Sequence, residues 1–205
     1  MRRIIEIDLA NECAVVEPGM ANLDITRAAS PHGYYYAPDP SSQQGCSVCG
    51  NVAENSGGAH CLKYGFTSGH VRVLEIVTPA GKIVELGGKA TGAHGYDLIG
   101  AFIGSEGTLG VTTRVTVSLT RCPHKTVTLL SAFTSMDAGG EAVSAIIAAG
   151  ALPSAIEMMD ASAIEAAEAA VACDYPAAAA AVLVVELDGP AAEVDAQIEQ
   201  VTELF

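Results

Sequence analysis

The chain has 205 residues, of which 50% are hydrophobic and 17% charged, and its formal net charge is -14. That apolar content excludes a disordered polypeptide and supplies enough core for one or two domains. The acidic balance disfavours nucleic acid and anionic membranes as partners, and no apolar run approaches the ~20 residues needed to span a bilayer.

Met1-Arg2-Arg3 followed by Ile4-Ile5 has the outline of a signal peptide, but Glu6 and Asp8 interrupt the apolar region. The chain therefore reads as soluble and cytoplasmic. Residues 12–17 predict a short strand ended by Pro18-Gly19. Residues 21–31 predict a helix with Leu23, Ala28 and Ala29 on its apolar side, closed by Pro31 and Gly33. Residues 34–60 are rich in Gly, Pro, Ser, Asn and Cys and carry turn chemistry, with glycine allowing close approach of backbone to a ligand. Residues 71–78 and 82–86 predict two strands joined at Pro79-Ala80-Gly81 as a hairpin. Residues 96–103 predict a short helix with Leu98, Ile99 and Phe102 inside, broken by Gly104-Ser105-Glu106-Gly107. Val111, Thr113, Val115, Val117 and Leu119 then alternate as a half-buried strand.

After Pro123 the pattern changes. Strands are predicted over 126–133, 155–159 and 181–187, and helices over 137–149, 161–172 and 190–205. Gly150 ends the first of these helices, and Asp160 caps the second by accepting free N–H groups. This alternation indicates a small α/β layer. Charge shifts at the same place: residues 1–125 hold 11 acidic and 10 basic side chains, while residues 126–205 hold 13 acidic and no basic ones. The two changes predict an α+β chain divided into 1–123 and 124–205, although an acidic proteome produces the same skew in charge.

Cys13, Cys46, Cys49, Cys61, Cys122 and Cys173 show no disulfide spacing and read as reduced thiols. Cys46-x-x-Cys49 has the spacing of half a zinc site or a redox pair. Zinc takes a second similar pair, and a redox pair opens a helix beside a thioredoxin-like strand. Buried or incidental thiols are the preferred reading. His32, His60, His70, His94 and His124 lack metal-ligand spacing, so no metal is expected. Tyr34-Tyr35-Tyr36 reads as a packing run with one ring inward rather than a stacking platform. Asp160 reads as a cap rather than a base, and the acidic 126–205 segment as a solvated face rather than a docking site.

Three motifs follow in order. The first is Ala37-Pro38-Asp39-Pro40-Ser41-Ser42. The second runs from Cys46-Ser47-Val48-Cys49-Gly50-Asn51 through Val52-Ala53-Glu54-Asn55-Ser56-Gly57-Gly58 to Lys63-Tyr64-Gly65. The third is Gly104-Ser105-Glu106-Gly107-Thr108-Leu109-Gly110-Val111. Together they resemble the FAD-binding domain of the vanillyl-alcohol oxidase type flavoproteins, in the branch of the glycolate oxidase flavin subunit and D-lactate dehydrogenase. Glu157-Met158-Met159-Asp160 fits the start of that branch's substrate-side domain. The likeness is physically reasonable. FAD needs backbone N–H donors close to phosphate oxygens and short polar side chains along its ribityl and ring edges.

The resemblance implies the second part of an FAD-binding domain over 1–123 and the opening of an α/β substrate (cap) domain over 124–205. It implies FAD contacts at Pro38, Asp39, Ser41, Ser42 and Ser47. Gly50, Asn51, Glu54, Asn55, Ser56, Gly57 and Gly58 follow the cofactor, and Glu106, Gly107, Leu109, Gly110 and Val111 meet its adenine and ribose end. The implied reaction is oxidation of a 2-hydroxy acid, glycolate or D-lactate, to the 2-oxo acid, with no catalytic residue assigned within this chain. Electrons are expected to pass to an iron–sulfur partner subunit, which places the protein in the cytoplasm or peripherally at the inner membrane.

The family's Gly-rich pyrophosphate loop and the His-rich part of its substrate domain are missing from this sequence. A middle fragment, inactive alone, is therefore expected. Cys49 stands where the family has glycine, and a strained backbone or crowded pyrophosphate is expected there. The rival readings are a folded, non-catalytic fragment without flavin, forming a homo-oligomer through an exposed truncated face, and one chain of a split enzyme.

Overall fold

The computed structural model describes residues 1–89, 95–176 and 178–205, so His94 lies outside the described residues. The chain forms two compact units, Met1–Cys122 and Pro123–Phe205.

The first unit is built on a five-stranded sheet in the order Ile4–Asp8, Cys13–Val16, Val111–Ser118, Val71–Val77 and Ile83–Gly87, with every pairing antiparallel. Its elements in chain order are β1 (Ile4–Asp8), β2 (Cys13–Val16), α1 (Asn22–Ala29), β3 (Tyr34–Tyr35), α2 (Val48–Glu54), α3 (Cys61–Tyr64), β4 (Val71–Val77), β5 (Ile83–Gly87), α4 (Leu98–Phe102), β6 (Val111–Ser118) and β7 (Thr120–Arg121). The core lies on one face of the sheet. Val16, Leu74, Ile76, Val115 and Val117 there meet Ile25 of α1, Val48 and Val52 of α2, and Phe102 of α4.

Several expectations are corrected. The first residues form an edge strand, β1, whose Ile4 and Ile7 pack on the core. In α1 the buried residues are Asn22, Ile25 and Ala29, while Leu23 is only partly covered. The helix stops at Ala29, and a 3-10 turn, Ser30–His32, leads to left-handed Gly33. In α4 Phe102 is buried but Leu98 is exposed, because a helix of 5 residues turns only one side to the sheet. Tyr36 is the inward ring of the tyrosine run and meets His70 edge-on at 6.2 Å.

The alternation expected from Val111 fails at its first member. Glu75 pairs with Arg114 but Ile76 pairs with Thr112, so Thr113 is an extra residue in β6. One inserted residue exchanges the two faces of a strand. Val115 and Val117 therefore point inward, whereas Thr112 takes the inner place opposite Ile76 and Val111 is 65% exposed.

The second unit orders its strands β8 (Lys125–Phe133), β10 (Ala181–Gly189) and β9 (Ala155–Asp160), again all antiparallel. Helices α5 (Met136–Ala148) and α7 (Ala191–Thr202) cover one face, where Ile146, Val194 and Val201 meet Leu183, Val185 and Leu187. Ser135 caps α5, and Asp160 caps α6 (Ala161–Ala170) by accepting the Ala163 N–H at 2.7 Å. Lys125 answers part of the acidic charge with an ion pair to Asp195 at 2.5 Å.

Acid is expected to destabilise the first unit in two steps. Burial pushes the His70 imidazole below its ordinary 6.5, although its Nε2 meets the Tyr64 carbonyl at 2.7 Å. The unfolded chain then binds a proton that the folded one resists, so this stability is full above pH 6.5 and falls as pH drops below it. Hydrogen bonds from Asn11 and Lys89 hold the Asp8 carboxyl at about 2, against an ordinary 3.8. Its contribution is present above 3.8 and is lost as pH falls towards 2. Urea midpoints measured across this range should show both losses, and H70Q should flatten the first.

Candidate functional site

The glycine-rich second motif is not all loop. Seven of its residues form α2, Val48–Glu54. Ser47 starts the helix by accepting the Gly50 N–H on its hydroxyl at 3.1 Å. Val48 and Val52, four residues apart, are fully buried and anchor it to the core. Asn55 ends it in the left-handed region (φ 52°, ψ 51°), which asparagine tolerates. Cys49 has ordinary helical backbone, so the strain expected at this position does not arise.

The first motif is tied to α2 through a buried amide relay. Asn51 donates from Nδ2 to Asn22 Oδ1 at 2.8 Å, and Asn22 donates in turn to the Pro38 carbonyl at 2.7 Å. A second tie lies further on. His60 Nδ1 and Asp39 Oδ2 are 2.5 Å apart, and the His60 N–H reaches Asp39 Oδ1 at 3.4 Å. Between them Gly58 lies so close that a β-carbon there would come within 2.3 Å of the Asp39 carbonyl and carboxylate oxygens.

The third motif closes on the other end of α2. The Gly104 and Glu106 N–H groups donate to the Val52 and Ala53 carbonyls at 2.9 and 3.0 Å. Glu106 and Gly107 both have positive φ, 52° and 75°, which folds this segment into a tight loop. Gly110 passes close to β4, where a β-carbon would meet the Val77 carbonyl oxygen at 2.7 Å. Asn55 Oδ1 meanwhile accepts the Ser68 N–H at 2.9 Å.

Segments far apart in sequence thus share one helix as their support. Ser41, Ser42, Gly50, Glu54, Glu106, Gly107, Leu109 and Val111 are exposed on it, and Asp39, Ser47, Asn55, Ser56, Gly57, Gly58 and Gly110 are partly covered. Pro38 and Asn51 are buried, and their polar groups are engaged within the protein. Sequence reasoning missed Asn22, which carries no local signal, and gave little weight to His60, whose place just after Gly57-Gly58 was the available clue. Two surface depressions lie elsewhere, one on the outer sheet face around Val73, Glu75 and Arg114 and one beside Tyr96 and Ile99. Among the described residues no three His, Cys, Asp or Glu side chains are grouped to hold a metal ion.

The donor set suits a dinucleotide. The Ser41 and Ser42 hydroxyls are exposed and bond no protein group among the described residues, so they are available to phosphate oxygens. The Glu106 carboxylate is exposed and suits a sugar hydroxyl, which donates to it. Exposed Leu109 and Val111 add apolar surface beside it.

Comparison with known proteins agrees. Residues 1–87 match the FAD binding domain family, and residues 122–205 match the C-terminal domain of FAD linked oxidases. The chain belongs to the FAD-linked oxidases. The cofactor of this family of oxidoreductases is FAD. The chain is 46% identical over 204 residues to glycolate oxidase subunit GlcD of Escherichia coli (strain K12), covering 100% of this chain and 41% of that protein. It is 35% identical over 138 residues to a D-lactate dehydrogenase of Anaerostipes hadrus, covering 67% of this chain and 29% of that one. The chain thus spans about two fifths of the first relative's length. A solved alkyldihydroxyacetonephosphate synthase shares the fold with a TM-score of 0.88 at 20% identity, over 100% of this chain and 40% of its own. No helix among the described residues is long and apolar enough to cross a membrane.

Proposed function

We propose that this chain forms part of the flavin site of an enzyme that oxidises a 2-hydroxy acid, glycolate or D-lactate, to the 2-oxo acid. The observation that carries this reading is the meeting of all three motifs on α2. FAD, when bound, supplies acceptance of the hydride. Ser41 and Ser42 would donate to phosphate oxygens, and the backbone at Gly50 allows close approach. Glu106 would accept from a ribose hydroxyl, with Gly107, Leu109, Gly110 and Val111 beside it. Ser47, Asn51, Asn55 and Pro38 shape the support rather than touch the ligand. Glu54, Ser56, Gly57 and Gly58 would border the cofactor along its length.

Residues 124–205 would begin the substrate-side domain. The word "subunit" in the name of the Escherichia coli relative supports a partner subunit, for which an iron–sulfur protein is the electron-accepting candidate. Such an assembly would operate in the cytoplasm, at the inner membrane through its partners. Turnover by the chain alone should be negligible. The contacts assigned to Ser41, Ser42, Gly50 and Glu106 hold the phosphate and ribose part of FAD, and none of them takes the hydroxyl proton of a 2-hydroxy acid.

The test is an FAD titration of the 205-residue chain by visible absorbance and fluorescence quenching. One FAD per chain is expected. Replacing Ser41 and Ser42 together by alanine should weaken binding about tenfold or more without moving the urea midpoint, since neither hydroxyl supports the fold. A folded chain that ignores FAD would overturn the assignment of these residues.

A further inference from the structure

We infer that Asp39 and His60 are a positioning pair for the flavin, holding the first and second motif loops at the separation that the cofactor requires. The inference rests on the flavin reading above and adds residues to it, because His60 belongs to none of the expected contacts.

The geometry is specific. An ionised carboxylate can only accept, so the proton between Asp39 Oδ2 and His60 Nδ1, 2.5 Å apart, belongs to the imidazole. The second oxygen of the same carboxylate faces the His60 backbone N–H at 3.4 Å. Both side chains are partly covered, with 20% of Asp39 and 29% of His60 exposed, so water competes with the pair only in part. A charge-assisted bond in such a place is stronger than a neutral one at the surface.

The pair also spans the right elements. Asp39 sits between Pro38 and Pro40, both buried, and directly precedes Ser41 and Ser42. His60 precedes α3 and closes the turn that holds Gly57 and Gly58. The Gly58 N–H is turned to Cys61 Sγ at 2.9 Å, which fixes that turn from its other side. The amide relay from Asn51 through Asn22 to Pro38 secures the base of the first loop. The Asp39–His60 bond joins that loop to the second motif. Without it the first loop is still joined to α1, through the relay to Pro38 and the Leu23 N–H on the Gln43 carbonyl at 3.0 Å, but it loses this direct tie to the second motif, and the gap between the two loops is no longer set from Asp39. An unset gap weakens a ligand that must touch both walls, because binding then has to order them.

The experiment uses three variants of His60 in the full chain, with FAD as the probe. Asparagine places its amide N–H near the position of Nδ1, and glutamine near that of Nε2. H60A should weaken FAD binding about tenfold. H60N should restore most of it, and H60Q should not. D39A should match H60A, and the double variant should be no worse than either single one. Equal binding by H60A and the unaltered chain would overturn the inference, as would equal rescue by glutamine and asparagine.

Amide hydrogen exchange of residues 57–61 without flavin supplies a second readout. Exchange should quicken in H60A and slow again in H60N, and unchanged exchange in H60A would also overturn the pair. If the unaltered chain binds no FAD while the exchange pattern appears as expected, the flavin assignment fails and the clamp between the loops stands.

Discussion

Gly58→Ala is expected to raise the FAD dissociation constant more than about a hundredfold, the largest effect of any single methyl group in the site. The added carbon would sit 2.3 Å from both the carbonyl and the carboxylate oxygen of Asp39. A carboxylate can rotate away, but the carbonyl belongs to a backbone flanked by two prolines whose φ is fixed. The relief must therefore come from parting the loops, which breaks the Asp39–His60 contact and displaces Ser41 and Ser42. Gly57→Ala provides the control. Its carbon would meet Cys61 Sγ and the Phe66 ring at 2.8 Å, and Phe66 is 53% exposed and free to swing. FAD titrations of the two variants should differ by about tenfold or more. Similar losses would show that general crowding of the turn, rather than the approach to Asp39, governs the site. Urea unfolding should register about 1–3 kcal/mol for Gly58→Ala, the usual cost of an overpacked contact.

Leu74→Ala should cost about 3 kcal/mol of stability in the first unit. Leu74 is fully buried on β4, opposite Val115 of β6 and Leu86 of β5, in the core that α2 also enters. Strand β4 lies inside the sheet, so the backbone on either side is held by ladder bonds and cannot collapse into the void. Tyrosine fluorescence follows this unit well, since the chain has 6 Tyr and no Trp, and only Tyr175 lies beyond Cys122. Val84→Ala, on the edge strand and 37% exposed, should cost less than about 1 kcal/mol in the same assay. Because α2 carries the three motifs, the Leu74 variant should also weaken FAD binding. The Val84 variant should leave binding intact.

The second unit was the more legible in sequence. Its helices are long enough to show their period, and their ends carry local chemistry: Asp160 before α6, and Gly150 after α5 in the left-handed region at φ 80°. In the first unit, α2 was hidden among glycines and cysteines that read as turn. Two valines four residues apart make a helix only when a core exists to receive them. Strand β1 was hidden for the same reason, since its apolar residues are few and its pairing partner, β2, does the ordering. The inward place of Thr112 and the outward place of Val111 depend on Thr113 having no partner across the ladder. No residue type announces such a bulge.

The site divides along the same line. The cofactor class was read through the resemblance that three ordered segments of glycine, serine and asparagine carry, and the demands of a dinucleotide on nearby backbone agree with it because they are chemical and local. The first segment's proximity to His60, and the engagement of Asn51 with Asn22 rather than a ligand, arise from contacts across 21 and 29 residues. The resemblance thus gave the stretches of this chain expected to border the cofactor. Packing decided which of their groups still face outward, because a polar side chain that finds a partner inside the fold is no longer available to a ligand.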